Sequence, residues 1–100
     1  MAFVQVMAAS DLAPGQGTVV NVGGKDLAVF NVSGQYYCID NECPHRFGPL
    51  GAGELEGDIV LCPWHAWEFN VRTGESPYTP GCGVATFPCK EENGAVLVDI

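Results

Sequence analysis

The sequence contains two histidines, and each closely follows a cysteine: Cys43-Pro44-His45, then Cys62-Pro63-Trp64-His65. Thiolate sulfur and imidazole nitrogen both bind transition metals, and two of each complete a set of protein ligands. Sixteen residues separate His45 from Cys62, enough for a loop, a turn and one strand, so two hairpin tips can converge on one centre. Three readings compete. Four unrelated residues, with buried cysteines and surface histidines, would explain one Cys-x-His but poorly explain two such motifs that use every histidine. A zinc-binding interaction module needs the same four donors, yet zinc-finger spacing places the cysteines together first and the histidines later. Here each loop carries one of each. The third reading is an iron–sulfur cluster of mixed ligation.

The flanking residues read as short strands and turns. Thr18–Val22 and Leu27–Val32 are rich in β-branched and apolar residues and are divided by the turn Gly23-Gly24. Ser33-Gly34 leads into a strand over Gln35–Asp40, where Tyr36, Tyr37 and Ile39 favour extended backbone. Glu56-Gly57-Asp58 turns into Ile59–Leu61, and a strand over Ala66–Val71 ends at Thr73-Gly74. Asn93-Gly94 is the strongest hairpin signal, lying between Ala85–Lys90 and Ala95–Ile100. No segment carries a sustained helical period with a cap. The expected fold is all-β, an antiparallel β sandwich or barrel in one domain over residues 1–100, with the two cysteine motifs on loops.

Composition narrows the partners. Twelve acidic against four basic residues give a formal charge of −8. Such a surface is repelled by nucleic acid and by anionic membranes and is suited to a basic protein surface. No apolar run approaches the roughly 18–20 residues that a membrane-spanning helix needs. The opening stretch, MAFVQVMAASD, has no basic residue before its apolar part, so a cytoplasmic location is expected. Five cysteines in a reducing compartment indicate metal binding or catalysis rather than a disulfide framework. Cys38, Cys82 and Cys89 have no ligand spacing: Cys38 is expected to be buried in its strand and the other two to be free thiols, a Cys82–Cys89 disulfide being the alternative.

Cys-x-His, sixteen residues, then Cys-x-x-His resembles the Rieske family, whose 2Fe–2S cluster has two cysteines on one iron and two histidines on the other. The likeness extends to Pro44, Gly48, Pro49-Leu50, the Glu54–Gly57 turn, Pro63-Trp64, Trp67–Phe69 and Thr73-Gly74, covering about residues 38–82 as a cluster-binding subdomain of two loops. It implies one Rieske-type cluster per chain, with Cys43 and Cys62 on an inner iron and His45 and His65 on an outer iron near the surface. Neutral imidazoles in place of thiolates make such a cluster less negative, so its potential lies above that of an all-cysteine ferredoxin. Ser76–Gly81 matches the family's proline-containing loop that covers the cluster from a third side.

Family members from respiratory and photosynthetic complexes carry an extra cysteine in each loop and use a serine and a tyrosine hydroxyl toward the cluster. The matching positions are Gly48 and Trp64, then Trp67 and Phe69, none of which supplies those groups. Fewer hydrogen bonds to the reduced cluster imply a potential in the lower part of the roughly −150 to +300 mV Rieske range. The chain instead resembles the ferredoxin components of bacterial aromatic-ring dioxygenase systems. That likeness implies a monomeric one-electron carrier without catalytic residues of its own, between a flavin-dependent NAD(P)H reductase and a terminal oxygenase, with transient docking near His45 and His65. Arg46, Phe47 and Trp64 are candidate contacts. The alternative is the small Rieske subunit of an assimilatory nitrite reductase.

Overall fold

The computed structural model describes residues 3–41, 49–62, 68–76 and 83–99. Ten strands lie among them: β1 (Phe3–Ala8), β2 (Gly17–Val22), β3 (Lys25–Val32), β4 (Gln35–Asp40), β5 (Glu54–Glu56), β6 (Ile59–Leu61), β7 (Glu68–Asn70), β8 (Thr86–Phe87), β9 (Cys89–Glu92) and β10 (Ala95–Asp99). Every pairing between them is antiparallel. A four-stranded sheet of order β2-β3-β4-β8 lies with two three-stranded sheets, β1-β10-β9 and β5-β6-β7. This is the all-β antiparallel fold expected from the strand and turn pattern.

The central strand explains the layering. β3 buries Leu27, Ala28, Val29, Phe30 and Asn31 in an unbroken run. Neighbouring side chains on a strand point to opposite faces, so such a run needs cover on both sides. Ala28 and Phe30 join Ile39, Leu50, Val60, Cys62, Phe69 and Val71 in one core cluster, toward β5–β7. Leu27 and Val29 join Leu12, Cys38, Val96 and Val98 in the other, toward β1 and β10.

The turns follow from backbone chemistry. At Gly23-Gly24, Ser33-Gly34 and Asn93-Gly94 both residues have positive φ, matching the right-handed twist of the flanking strands. Ser33 is an unusual occupant at φ 52°, and it is held by Asn31, whose Oδ1 accepts from Gly34 N–H at 2.8 Å. The same amide donates to the Leu12 carbonyl at 2.8 Å and to the Tyr36 hydroxyl at 3.3 Å, and that hydroxyl donates to the Ala9 carbonyl. One buried asparagine thus joins the segment after β1 to the β3–β4 hairpin.

Several expected boundaries move. The single strand expected over Ala85–Lys90 is two, because Pro88 has no N–H to continue a ladder. β8 pairs with β4, whereas the Pro88 carbonyl accepts from Asp99 N–H at 2.9 Å and β9 pairs with β10, so the chain changes sheets at the proline. Of the strand expected over Ala66–Val71, β7 covers Glu68–Asn70, Val71 begins the turn, and Ala66 and Trp67 lie outside the described residues. β1 and β5 were not anticipated. β5 reads Glu-Leu-Glu, a poor strand former by composition, and is held by pairing with β6 while Leu55 packs on the core. Short 3-10 turns occupy Ala9–Asp11 and Leu50–Ala52, and no α-helix occurs among the described residues.

Replacing Asn31 by Leu keeps the volume but leaves the Leu12 carbonyl without its partner in the interior and removes the acceptor that holds Gly34 N–H in the turn. The expected loss is about 2 kcal/mol of stability, read from denaturant unfolding of the cofactor-loaded protein. A loss below about 0.5 kcal/mol would mean that the network carries no stability.

Candidate metal centre

Of the four proposed ligands, Cys62 lies within the described residues, and Cys43, His45 and His65 lie outside them. Cys62 directly follows β6, is 2% exposed, and packs in the cluster that holds Leu50, Val60 and Phe69. Burial beside apolar side chains suits a sulfur donor that faces inward. Two thiols and two imidazoles supply the mixed donor set that a Rieske cluster requires, and Cys62 stands where such a centre would meet the core. The residues present therefore fit the group. Among the described residues no three His, Cys, Asp or Glu side chains come together as a separate metal site.

The backbone around the two motifs is braced. Asn41 and Pro49 flank residues 42–48, which hold the first motif. Asn41, 7% exposed, accepts from Leu50 N–H through its main-chain oxygen and from Gly51 N–H through Oδ1, both at 2.8 Å. The returning segment is wedged. A Cβ on Gly51 would meet the Val19 side chain and the Thr18 carbonyl on β2, and one on Gly53 would run into the Leu61 carbonyl oxygen on β6. Close approach of backbone to backbone is the reason for glycine at both places. The second motif opens from the β6–β7 pair, whose last register is Leu61↔Glu68.

The described residues on either side of 77–82 are anchored as well. Asn70 N–H donates to the Glu75 carbonyl, Gly74 N–H to the Asn70 carbonyl, and Val84 N–H to the Gly74 carbonyl, at 2.7–2.8 Å. Glu75 bridges Gly83, and Asp40 N–H donates to the Ala85 carbonyl at 2.9 Å, beside Asn41. Ser76 at the base of this loop is buried; Pro77, Pro80 and Cys82 lie outside the described residues, as do Arg46, Phe47, Trp64 and Trp67. Phe69 is fully buried beside Cys62 and offers no hydroxyl. Asn41, Gly51 and Gly53 were not singled out from sequence; an asparagine two residues before the first cysteine was the available signal.

The outer face of β5–β7 is acidic. Glu54, Leu61 and Glu68 share one register row, and Glu56, Ile59 and Asn70 share another on the same face, opposite the buried row of Leu55, Val60 and Phe69. Three carboxylates therefore flank the part-exposed Ile59 and Leu61, one residue from Cys62.

The remaining thiols are of another kind. Cys38 is buried as expected, and Cys89 is a part-buried free thiol; Cys82 lies outside the described residues. Burial pushes Cys38 up to about 12, with the neighbouring Cys89 and Asp40 charges adding to it, and burial alone pushes Cys89 up to about 12. Both are protonated at neutral pH and are weak nucleophiles.

The Rieske [2Fe-2S] domain matches residues 2–88. The naphthalene 1,2-dioxygenase system ferredoxin component of Pseudomonas putida is 36% identical over 99 residues, spanning 98% of this chain and 95% of its own. Ferredoxin CarAc of Metapseudomonas resinovorans is 42% identical over 93 residues, 89% of this chain and 87% of that one. Among solved structures, a chain in the complex of reduced oxygenase and oxidized ferredoxin in carbazole 1,9a-dioxygenase superposes with a TM-score of 0.86 at 38% identity, covering 96% of this chain and 91% of that chain. A structure described as a nitrite reductase (NADPH) small subunit reaches a TM-score of 0.85 at 18% identity over the whole of both chains, which is a likeness of fold alone. By its domain match and by relatives that align over nearly their whole length, this chain belongs to the family of Rieske 2Fe–2S proteins.

Proposed function

We propose that this chain is a Rieske-type ferredoxin, a one-electron carrier that accepts electrons from a flavin-dependent NAD(P)H reductase and delivers them to a terminal aromatic-ring-hydroxylating oxygenase. The observation that carries this reading is the extent of the match: relatives named as ferredoxin components of dioxygenase systems are 36–42% identical over nearly the whole chain. The nitrite reductase subunit shares the fold at half that identity. The whole chain, residues 1–100, acts as one cluster domain in the cytoplasm, as a monomer and without catalytic residues of its own. Among the described residues no helix is long and apolar enough to cross a membrane.

A Rieske cluster, when bound, supplies a single one-electron couple. In this reading Cys43 and Cys62 hold the inner iron and His45 and His65 the outer one, one cluster per chain. The protein's own work is to fix those donors and to present one edge to partners. The buried Cys62 side excludes water, and the braced loop bases limit how far the ligands shift when the charge changes. Small reorganisation favours fast transfer, because few dipoles must move with the electron. The acidic face of Glu54, Glu56 and Glu68 steers the approach of a basic partner, and Ile59 and Leu61 offer apolar contact at its centre. Long-range steering with a small apolar patch gives rapid, short-lived complexes, as a shuttle between two partners requires.

Dithionite-reduced protein should give a Rieske electron paramagnetic resonance signal, with an average g value below that of an all-cysteine cluster. His45→Ala and His65→Ala should each abolish it, and the midpoint potential should lie in the lower part of the roughly −150 to +300 mV range. Stoichiometric zinc in place of iron and acid-labile sulfide would overturn the assignment. Glu54→Lys combined with Glu68→Lys should slow reduction of a partner oxygenase roughly tenfold at low ionic strength and flatten its salt dependence, with the spectrum unchanged. An unaltered salt dependence would move the docking surface elsewhere.

A further inference from the structure

We infer that Asn41 is a positioning residue for the metal centre, and that through the segment Leu50–Gly53 it sets the separation of the two ligand loops. The inference rests on the cluster reading above and concerns a residue that donates no ligand atom. Asn41 immediately precedes residues 42–48, which include Cys43 and His45. Its two oxygens hold the two consecutive N–H groups with which the chain returns, Leu50 and Gly51, each at 2.8 Å and away from water. Departure and return are thereby fixed at a single residue, and the side-chain oxygen does work that a backbone carbonyl would do in a ladder.

The clamp reaches the second motif. Gly51 is seated against Thr18 and Val19, and two residues later Gly53 abuts the Leu61 carbonyl, next to Cys62. Glu54 then pairs with Leu61 in register. The path from Asn41 to Cys62 therefore runs through one hydrogen-bonded turn, one strand edge and two glycine contacts with no slack for a side chain. A cysteine–histidine pair in each loop must meet the same two irons, so the spacing between loop bases is a constraint on both. Leu50, fully buried in the core cluster with Cys62, fixes the same segment from below. Nearby Asp40 N–H, bound to the Ala85 carbonyl, adds the third loop's return to the same frame.

Two variants separate this role from general stability. Asn41→Leu keeps the volume and removes the side-chain acceptor; Asn41→Asp keeps the acceptor and adds a charge. Both are purified anaerobically with cluster, and iron release to a chelator is followed well below the unfolding temperature. Asn41→Leu should release iron about tenfold faster than the parent, broaden the reduced-state paramagnetic resonance lines and shift the midpoint potential, while far-ultraviolet circular dichroism stays the same. Asn41→Asp should release iron at the parent's rate with narrow lines. Parental release, line width and potential in Asn41→Leu would overturn the inference, as would equal loss in both variants. Where Asn41→Leu loads no cluster during expression, the same comparison is made by reconstitution, and equal cluster uptake by both variants would overturn it. If the parent itself lacks a Rieske signal, the cluster reading fails first, and the clamp has no centre to position.

Discussion

Two-sided burial of the β3–β4 hairpin is the constraint on which the remainder of the molecule depends. Leu27, Ala28, Val29 and Phe30 are all fully inaccessible, so neither face of the hairpin can be left to water. At 25 cal/mol per Å2, exposing either face would cost several kcal/mol, a large share of the stability of a small domain. The two three-stranded sheets are the covers. One of them, β5-β6-β7, also carries Cys62 directly after β6, so this cover and the candidate metal centre share one frame. Cys62 belongs to both: it is a core residue by packing and one of the four candidate ligands.

The other cover does different work. β1, β10 and β9 close over Leu27, Val29 and Cys38, on the face of the central sheet away from Cys62. Pro88 separates the duties of a single stretch of chain, ending the β8 pairing with β4 and letting Cys89 begin a strand in the other sheet. The molecule therefore divides into a structural half and a site half that share the central sheet. Asn31 serves the first half much as Asn41 serves the second. Each is a buried amide whose side-chain oxygen accepts a backbone N–H from a later residue, Gly34 for Asn31 and Gly51 for Asn41.

How far the sequence revealed this depends on what kind of interaction each residue makes. The Rieske family was legible in the paired cysteines and histidines, because metal chemistry restricts residue type and spacing together, and the Asn-Gly and Gly-Gly turns because positive φ admits few residues. The strands β2, β3 and β4 were legible from β-branched and aromatic runs. β5 was not: Glu54 and Glu56 tolerate a strand since they face water, and its pairing with β6 is a tertiary fact. β1, half exposed at a sheet edge, carries no strong alternation. The Asn41 clamp and the Gly51 and Gly53 contacts depend on which segments pass close to one another, and a composition of common turn residues does not encode that. The split at Pro88 was readable in principle, because a proline inside a strand pattern always removes one donor.

Five cysteines in a chain whose metal centre needs two raise a question of selectivity, and burial answers part of it. Cys38 and Cys89 lie in or against the second core cluster, where desolvation holds their protons well above neutral pH. A thiol must lose that proton to bind iron, so a group held near 12 competes poorly. Neither has a histidine within three residues, so neither could offer the mixed pair that each loop brings. The opposing reading, that Cys38 and Cys89 are catalytic or redox-active thiols, would require a lowered rather than a raised pKa and an electropositive setting. The charges beside Cys38 are instead those of Cys89 and Asp40, both negative when ionised. The fold thus places its idle thiols in apolar surroundings on one side of the central sheet. On the other it keeps Cys62, the one candidate ligand among the described residues, packed in the first core cluster.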